Sequence, residues 1–440
     1  MKKTALLILA FLFITAGFAQ HRKKAEPNFL LLKNAEIIDV ISGTIKTGSV
    51  LIKNEKIESV LYEDNNKLLK GTVVYDLTGK YLIPGIIDGH VHITHGTFEE
   101  AKAHLKTALK NGVTGVRDMG GDGRMLTLLK KNMQIGEDQG PDIFFSTIIA
   151  GPKFFETDPR PQSVALGAKA GEVSWQRAIT PETNFRKIIS EIVGMGATAI
   201  KIYANVDKDL MKKVCDEAKK QGLKIWGHAA IPPTRPSEVC IAGVRAMSHA
   251  GDLIQYELVD ELKDRHQFES RKEAMKYRKK MAKITWDKNT PKVKRVFELM
   301  KKNNSVLDAT LFVYDNRVDR NRTKEKTDST ALKHAMKTTK TAYEAGVKIC
   351  AGSDSMIDPS GYRINIHKEL ELLNNAGLKT IDVLRAATII NAEVLGEKDN
   401  IGSIEKGKLA NLVVLNGNPL EDIKNTRKIK YVIKRGKVIQ

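Results

Sequence analysis

Three histidines fall within six positions of the segment Leu82–Gly96, which reads LIPGIIDGHVHITHG and begins with an apolar run ending in Pro-Gly. In a β-strand, side chains two positions apart lie on the same face, so His90 and His92 point together while Val91 points away. Two imidazoles on one face supply half of a transition-metal site. His95 follows the strand, where it could support such a site or contact a substrate.

Four further residues with metal or proton chemistry lie in or at the end of short apolar runs. Lys201 lies inside AIKIYA, and a buried lysine without a partner is costly, so it should be neutralised, paired or modified. His228 ends LKIWGH, His249 ends VRAMSH and Asp354 ends VKICAGSD. Taken singly, each residue is more simply a core histidine, a strand-end cap or a salt-bridged lysine. Their joint occurrence at strand ends favours a shared site.

The alternation of predicted strands and helices along the chain indicates the fold that would position these side chains. From about residue 86, short strand-like runs alternate with helical stretches, which indicates parallel βαβ units. Eight such units over about 300 residues fit an α/β fold of the (β/α)8 TIM-barrel type, whose active sites lie at the carboxyl ends of the strands. Two long connections, residues 151–180 and 252–302, would lie at that same end. Arg117 and Asp118, which end the second strand, are expected to form a structural ion pair.

β-rich segments flank the predicted barrel, which we place at residues 86–395. We expect residues 28–85, read as an antiparallel unit, and residues 396–440 to combine into a small composite β-sandwich domain. Residues 1–19 have the basic start, apolar run and final small residue of a secretory signal peptide. The apolar run is short against the ~20 residues that a membrane-spanning helix needs. We therefore expect a periplasmic or secreted protein with no stable membrane insertion after signal cleavage.

The composition argues against several other classes of protein. Hydrophobic residues make up 42% of the 440 residues, which is typical of a globular core. The formal charge of +20 is interspersed with acidic residues and no nucleic-acid motif is present, so we expect no nucleic-acid partner. Cys215, Cys240 and Cys350 cannot all pair and lie among apolar residues, which favours buried free thiols over a disulfide framework.

From about residue 30 onward the chain resembles the amidohydrolase superfamily. The resemblance rests on PGIIDGHVH, on GVTGVRDMGG and on the closing GSIEKGKLANLVVL. IKIYA and AGSD make the chain most similar to the imidazolonepropionase-like and Xaa-Pro-dipeptidase-like members. The resemblance implies a centre of two divalent metal ions, usually Zn²⁺, with one ion held by His90, His92 and Asp354.

The same resemblance assigns the remaining ligands and the chemistry. His228 and His249 would hold the second ion. Lys201, carbamylated on its amine, would bridge the two ions, which would resolve the cost of burial because the modified side chain is an anion between cations. The metals would activate a water and polarise the scissile carbonyl. Asp354 would take the proton of that water and pass it to the leaving amine.

These features predict an exported metal-dependent hydrolase of a carbon–nitrogen bond in a small-molecule substrate that is dipeptide-like, an N-acyl amino acid or a cyclic amide. One alternative is a mononuclear, deaminase-like member in which Lys201 is unmodified and His249 acts as acid or base. Another is an inactive barrel that only binds a small molecule. Tyr203, which shares the face of Lys201, is assigned to substrate contact together with His95 and Arg363. The sequence leaves room for a homo-oligomer.

Overall fold

A computed structural model describes the following parts of the chain: residues 28–62, 70–263, 268, 270–320, 330–356 and 364–439. The predicted signal peptide at residues 1–19 and the predicted substrate contact Arg363 lie outside these ranges. Within the described ranges, no helix combines the length and the apolar character needed to cross a bilayer.

The amino-terminal segment forms five strands, and only part of it is antiparallel as predicted. The strands are β1 (Phe29–Asp39), β2 (Thr44–Lys53), β3 (Lys56–Leu61), β4 (Val73–Asp76) and β5 (Tyr81–Pro84). β1, β2 and β3 pair antiparallel, because short turns join them and Asn54 takes a left-handed conformation with φ of 56°. β4 and β5 instead run parallel to β1, which the longer connection after β3 permits.

The middle of the chain forms a sheet whose main path consists of parallel strands. Its strands are β6 (Ile86–His92), β7 (Val113–Asp118), β8 (Asp142–Ala150), β9 (Glu172–Val173), β10 (Gln176–Ala178), β11 (Ala199–Ile202), β12 (Lys224–His228), β13 (Ala246–Ser248), β14 (Val306–Asp308), β15 (Ile349–Cys350) and β16 (Ser355–Met356). β9 and β10 form a side branch on β8. Each of the eight strands predicted from the sequence is present, although β14 ends at Asp308 because helix begins at Leu311.

The parallel sheet closes on itself where its last segment meets β6. The Gly89 amide donates to the Ala351 carbonyl over 2.9 Å, and the Asp354 amide donates to the His90 carbonyl over 2.8 Å. β16 then continues the contact as a parallel partner of β6. The predicted α/β barrel of parallel strands is therefore confirmed.

Strands from the carboxyl-terminal segment complete the first sheet. They are β17 (Leu412–Leu415), β18 (Ile429–Lys434) and β19 (Lys437–Val438). β17 pairs antiparallel with β5, so that Leu412 lies opposite Pro84 and both ends of the chain share one eight-stranded sheet. Its buried face includes Leu32, Val50 and Val414. The sandwich form of this domain and the predicted domain boundaries stay predictions.

Helices connect the strands and pack against the barrel. They are α1 (Phe98–Lys110), α2 (Gly123–Ile135), α3 (Pro152–Thr157), α4 (Pro159–Ala165), α5 (Phe185–Gly194), α6 (Lys208–Lys220), α7 (Pro236–Ile241), α8 (Ala250–Leu258), α9 (Arg271–Ala282), α10 (Pro291–Lys302), α11 (Leu311–Arg320), α12 (Thr330–Glu344), α13 (Ile366–Asn375), α14 (Thr380–Ala387) and α15 (Ile389–Leu395), with a 3₁₀ turn at Ile423–Arg427.

Local chemistry explains where these helices begin and which face they bury. α1 starts with a capping box in which Thr97 Oγ1 accepts from the Glu100 amide and the Glu100 carboxylate accepts from the Thr97 amide. In α6, Asp207 caps the first turn, and Leu210, Val214 and other buried residues recur at three- and four-residue spacing. That spacing turns one apolar face of the helix toward the barrel.

The two long connections follow β8 and β13 at the carboxyl end of the barrel, and both contain regular structure. Residues 151–180 form α3, α4 and the hairpin of β9 and β10 rather than a loop. The described parts of residues 252–302 are mostly helical, as predicted, in α8, α9 and α10. All three cysteines are buried and free, which agrees with the thiol state predicted from their surroundings.

Candidate active site

The two histidines of β6 meet the carboxylate that follows β15. His90 Nε2 lies 3.4 Å and His92 Nε2 lies 3.3 Å from Asp354 Oδ1. The two imidazole centroids are 5.5 Å apart, because alternate residues of the strand share the face toward the barrel mouth. The first and last strands of the barrel thus bring together three of the residues selected from the sequence.

The histidines of β12 and β13 reach the same place. The His249 ring centroid lies 5.2 Å from that of His90, and the His228 centroid lies 4.8 Å from that of His249. His249 Nδ1 is 3.9 Å from Asp354 Oδ2. One ligand atom from each of His90, His249 and Asp354 lies within 4.8 Å of the others, which is a spacing that can hold a metal ion.

Lys201 lies in β11 beneath these groups and has no solvent exposure. Its Nζ is 3.4 Å from His90 Nε2 and 5.0 Å from the centre of the Tyr203 ring. Burial lowers the pKa of Lys201 to about 8, although the charges of Asp354 and Asp308 oppose that shift. Its amine therefore loses a proton far more readily than a surface lysine, and the neutral amine is the form that can react with CO₂.

Backbone conformations at the strand ends are unusual around this centre. Four residues have positive φ values, a region that residues other than glycine seldom occupy: His249 (77°), Thr310 (49°), Asp354 (50°) and Asn205 (54°). Each residue follows closely on a strand of the barrel. Such strain collects at functional sites, where the surrounding structure holds it in place. Thr310 also fixes a ligand candidate, since its Oγ1 lies 2.9 Å from His249 Nδ1.

Two of the clustered imidazoles are neutral at pH 7. Burial lowers the pKa of His90 to about 4, with the Lys201 charge acting in the same direction. Burial likewise lowers the pKa of His249 to about 3. A neutral imidazole has the free lone pair that a metal ligand requires.

Sequence reasoning missed Asp308, a fully buried carboxylate at the end of β14. Its Oδ2 lies 2.7 Å from His90 Nδ1 and accepts from Arg117 over 2.8 Å. The expected ion pair of Arg117 with Asp118 is therefore wrong, because Asp118 accepts backbone hydrogen bonds, including one from the Ile93 amide. The strand-end position of Asp308 in SVLDAT was the available signal, the same signal that selected Asp354.

Two of the three residues proposed for substrate contact, Tyr203 and His95, lie within the described structure. The Tyr203 ring lies 4.1 Å from the His228 ring and 4.7 Å from the Phe154 ring, so it lines the same centre. The His95 ring lies 5.8 Å from the His92 ring, and burial together with His92 lowers the pKa of His95 to about 4. Both lie beside the clustered ligand candidates.

A second residue that the sequence did not reveal is Arg160 at the start of α4. Asp158 holds one edge of its guanidinium, with Nε to Oδ1 at 2.9 Å and a second bond at 2.5 Å. The Arg160 Cζ lies 5.9 Å from the Tyr203 ring centre, and 46% of the side chain is exposed. Its charge also contributes to the lowered pKa of His95. Arg160 therefore presents a cation at the mouth of the centre.

Comparison with known proteins gives a family match over most of the chain. A sequence profile described as "Amidohydrolase family" matches residues 81–439. An adenine deaminase of Listeria welshimeri is 26% identical over 210 residues, which cover 48% of this chain and 32% of that protein. An adenine deaminase of Methanocaldococcus jannaschii is 37% identical over 92 residues, covering 20% and 16%. The matched segment spans about a third or less of these curated relatives.

Solved structures match over nearly the whole length. A Xaa-Pro dipeptidase with methionine bound in its active site gives a TM-score of 0.72 at 21% identity and covers 94% of this chain and 100% of that one. A candidate prolidase from Bifidobacterium longum gives 0.69 at 26% identity, covering 94% of each chain. The ochratoxinase of A. niger gives 0.71 at 19% identity, covering 94% and 96%.

Proposed function

The chain belongs to the amidohydrolase family, and on that premise we propose that it is an exported, metal-dependent hydrolase that cleaves a carbon–nitrogen amide bond in a dipeptide-like substrate. The observation that carries the proposal is the convergence of His90, His92, His249 and Asp354 above the buried Lys201. These side chains come from different strands and meet at the carboxyl end of the barrel, where enzymes of this architecture act.

The donor set fits divalent metal ions. Imidazole nitrogens and a carboxylate are the ligands that Zn²⁺ accepts, and His90 and His249 are held in the neutral form that binds metal. Lys201 Nζ lies within hydrogen-bond distance of His90 Nε2. A carbamate on this amine would add an anionic ligand for the metal ions. We propose that one ion lies at His90, His92 and Asp354.

The second ion of the proposed centre would lie at His228 and His249, with carbamylated Lys201 bridging the pair. Bound metal ions would lower the pKa of a water molecule and polarise the scissile carbonyl. Asp354 faces His92 on one side and His249 on the other, and it would accept the proton of that water. It would then return the proton to the departing nitrogen, so that the amine leaves in neutral form.

Metal analysis combined with a hydrolysis screen tests the proposal. We expect two equivalents of zinc per chain, and hydrolysis of some dipeptides or N-acyl amino acids. Removal of the metal with a chelator should abolish hydrolysis, and added Zn²⁺ should restore it. Purified protein that binds no divalent ion under any loading condition would end the proposal.

Arg160 supports a substrate with a free carboxylate beside the scissile amide. We expect Arg160→Gln to raise KM for such substrates roughly 10- to 100-fold, because a charge-assisted bond contributes about 1.5–3 kcal/mol. The KM of the corresponding carboxamide should stay unchanged. Arg177→Gln is the matched control, since Arg177 lies in the same 151–180 segment and is also ion-paired, but with Glu191 of α5 rather than beside Tyr203. An equal rise in KM for the carboxamide would contradict this assignment.

The adenine deaminase matches favour a second candidate, a deaminase-like enzyme, which we propose as the mononuclear alternative. Its single ion would occupy the group formed by His90, His249 and Asp354, whose ligand atoms lie close together. Lys201 would then stay an unmodified amine. One equivalent of metal and release of ammonia from aminopurines, in place of amide hydrolysis, would favour this reading.

Export is part of the proposal and rests on residues 1–19, which lie outside the described structure. The basic start and apolar run of this segment predict cleavage near Ala19 and release beyond the inner membrane. The amino-terminal sequence of the mature protein and its cellular fraction test this expectation directly.

A further inference from the structure

Asp308 occupies the space immediately behind the histidine that the proposed centre depends on. It ends β14 and is fully buried, and its Oδ2 gathers three polar neighbours. These are His90 Nδ1 at 2.7 Å, an Arg117 guanidinium nitrogen at 2.8 Å and Ser248 Oγ at 2.8 Å. A buried carboxylate needs such donors, because without them it would lose its hydration with no compensation.

This contact determines which nitrogen of His90 can bind a metal. The carboxylate oxygen accepts, so Nδ1 carries the hydrogen and Nε2 keeps its lone pair. That Nε2 faces Lys201 Nζ at 3.4 Å and Asp354 Oδ1 at 3.4 Å. Asp308 therefore aims the free lone pair of His90 at the groups around the proposed ions.

Arg117 holds Asp308 from the opposite side of the barrel interior. It extends inward from β7, donates to the Gly89 carbonyl and lies with its Cζ 5.0 Å from the Trp226 ring centre. Both side chains of the Arg117–Asp308 ion pair are fully buried. Their opposite charges therefore compensate each other beneath the proposed metal centre.

The contact between Asp308 and His90 requires a glycine at position 352, because a side chain there would collide with both residues. A Cβ at Gly352 would lie 2.7 Å from Asp308 Oδ1 and 2.6 Å from His90 Cβ. Both distances are shorter than a carbon can accept, so any side chain there would displace the contact between Asp308 and His90.

We propose that Asp308 is a positioning residue that fixes the tautomer and orientation of His90 for metal binding, and that Arg117 holds Asp308 in place. The inference rests on the proposed metal-dependent function. Partners of this kind behind a metal-binding histidine typically change metal affinity roughly 10- to 100-fold when they are replaced.

Zinc affinity, measured by competition with a chromogenic chelator, tests the inference without reference to activity. We expect Asp308→Asn to weaken Zn²⁺ binding roughly 10- to 100-fold and to change the visible spectrum of the Co²⁺-loaded protein. The control is Asp142→Asn, since Asp142 is also buried and pairs with Arg435 over 3.0 Å, but at the start of β8. This variant should lose thermal stability while keeping wild-type zinc affinity.

A double variant, Arg117→Met with Asp308→Asn, covers the case in which the single variant fails to fold. It removes both charges of the buried pair together, so neither Arg117 nor Asp308 is left as an ion without its partner. We expect the double variant to bind zinc as weakly as the single variant. Wild-type zinc affinity in either folded variant would overturn the inference. A wild-type protein that binds no zinc would instead overturn the proposed function, so the two failures are distinct.

Discussion

Asp354→Asn is expected to lower kcat by roughly 10²- to 10⁴-fold, the range that a positioned proton-transfer group contributes. The asparagine amide cannot take a proton from water or return it to the leaving nitrogen. Asp354 also faces His90, His92 and His249, so the variant loses a shared anionic partner of three imidazoles. Steady-state kinetics on the substrate found in the screen give the change in kcat.

Metal content measured on the same Asp354→Asn preparation separates lost proton transfer from lost metal. Asp122→Asn is the matched control, because Asp122 caps α2 near the barrel mouth and asparagine caps helices equally well. The control should retain wild-type kcat. If Asp354→Asn keeps wild-type kcat with its metal bound, the proton-transfer role is wrong.

The second large effect is expected from Lys201→Ala. In the proposed centre Lys201 would carry a bridging anion that contributes several kcal/mol, so we expect one equivalent of metal or less and a fall in kcat of roughly 10³-fold or more. A small carboxylate such as acetate should restore part of the activity by entering the space that the buried side chain leaves. Metal analysis and kinetics with and without acetate measure both effects.

Lys434→Ala is the control for removing a buried lysine. Lys434 is buried beside Asp142 in the sheet built from the two ends of the chain, away from the barrel mouth. It should destabilise the protein without releasing metal. Full metal content and activity in Lys201→Ala would show that Lys201 is not a bridging ligand and would favour the mononuclear alternative.

Local patterns were enough to predict the barrel and most of the cluster. The two-residue period of a strand placed His90 and His92 on one face, and the alternation of strands with helices placed His228, His249 and Asp354 at the same end. Both inferences use only the residues near each site and the rule that parallel strands carry their active sites at one rim.

The parts that escaped prediction depend on contacts between distant segments. In the sequence, Asp308 is only a polar residue at a strand end. Its contacts with His90 and Arg117 become visible only in the fold. Arg160 reaches the centre only because residues 151–180 fold into two short helices and a hairpin, which their Pro- and Gly-rich sequence did not show. Such contacts depend on the register between strands and on the path of the loops. The local periodicity of the sequence specifies neither.

The sheet that joins both ends of the chain also constrains when the protein can fold. β5 acquires its neighbour β17 only after the whole barrel sequence has been synthesised, because Pro84 lies opposite Leu412. Before that moment the early strands present an open edge, and pairings of such wide sequence separation form slowly. The export proposed above would suit this order, since translocation of an unfolded chain likewise delivers the last strands at the end.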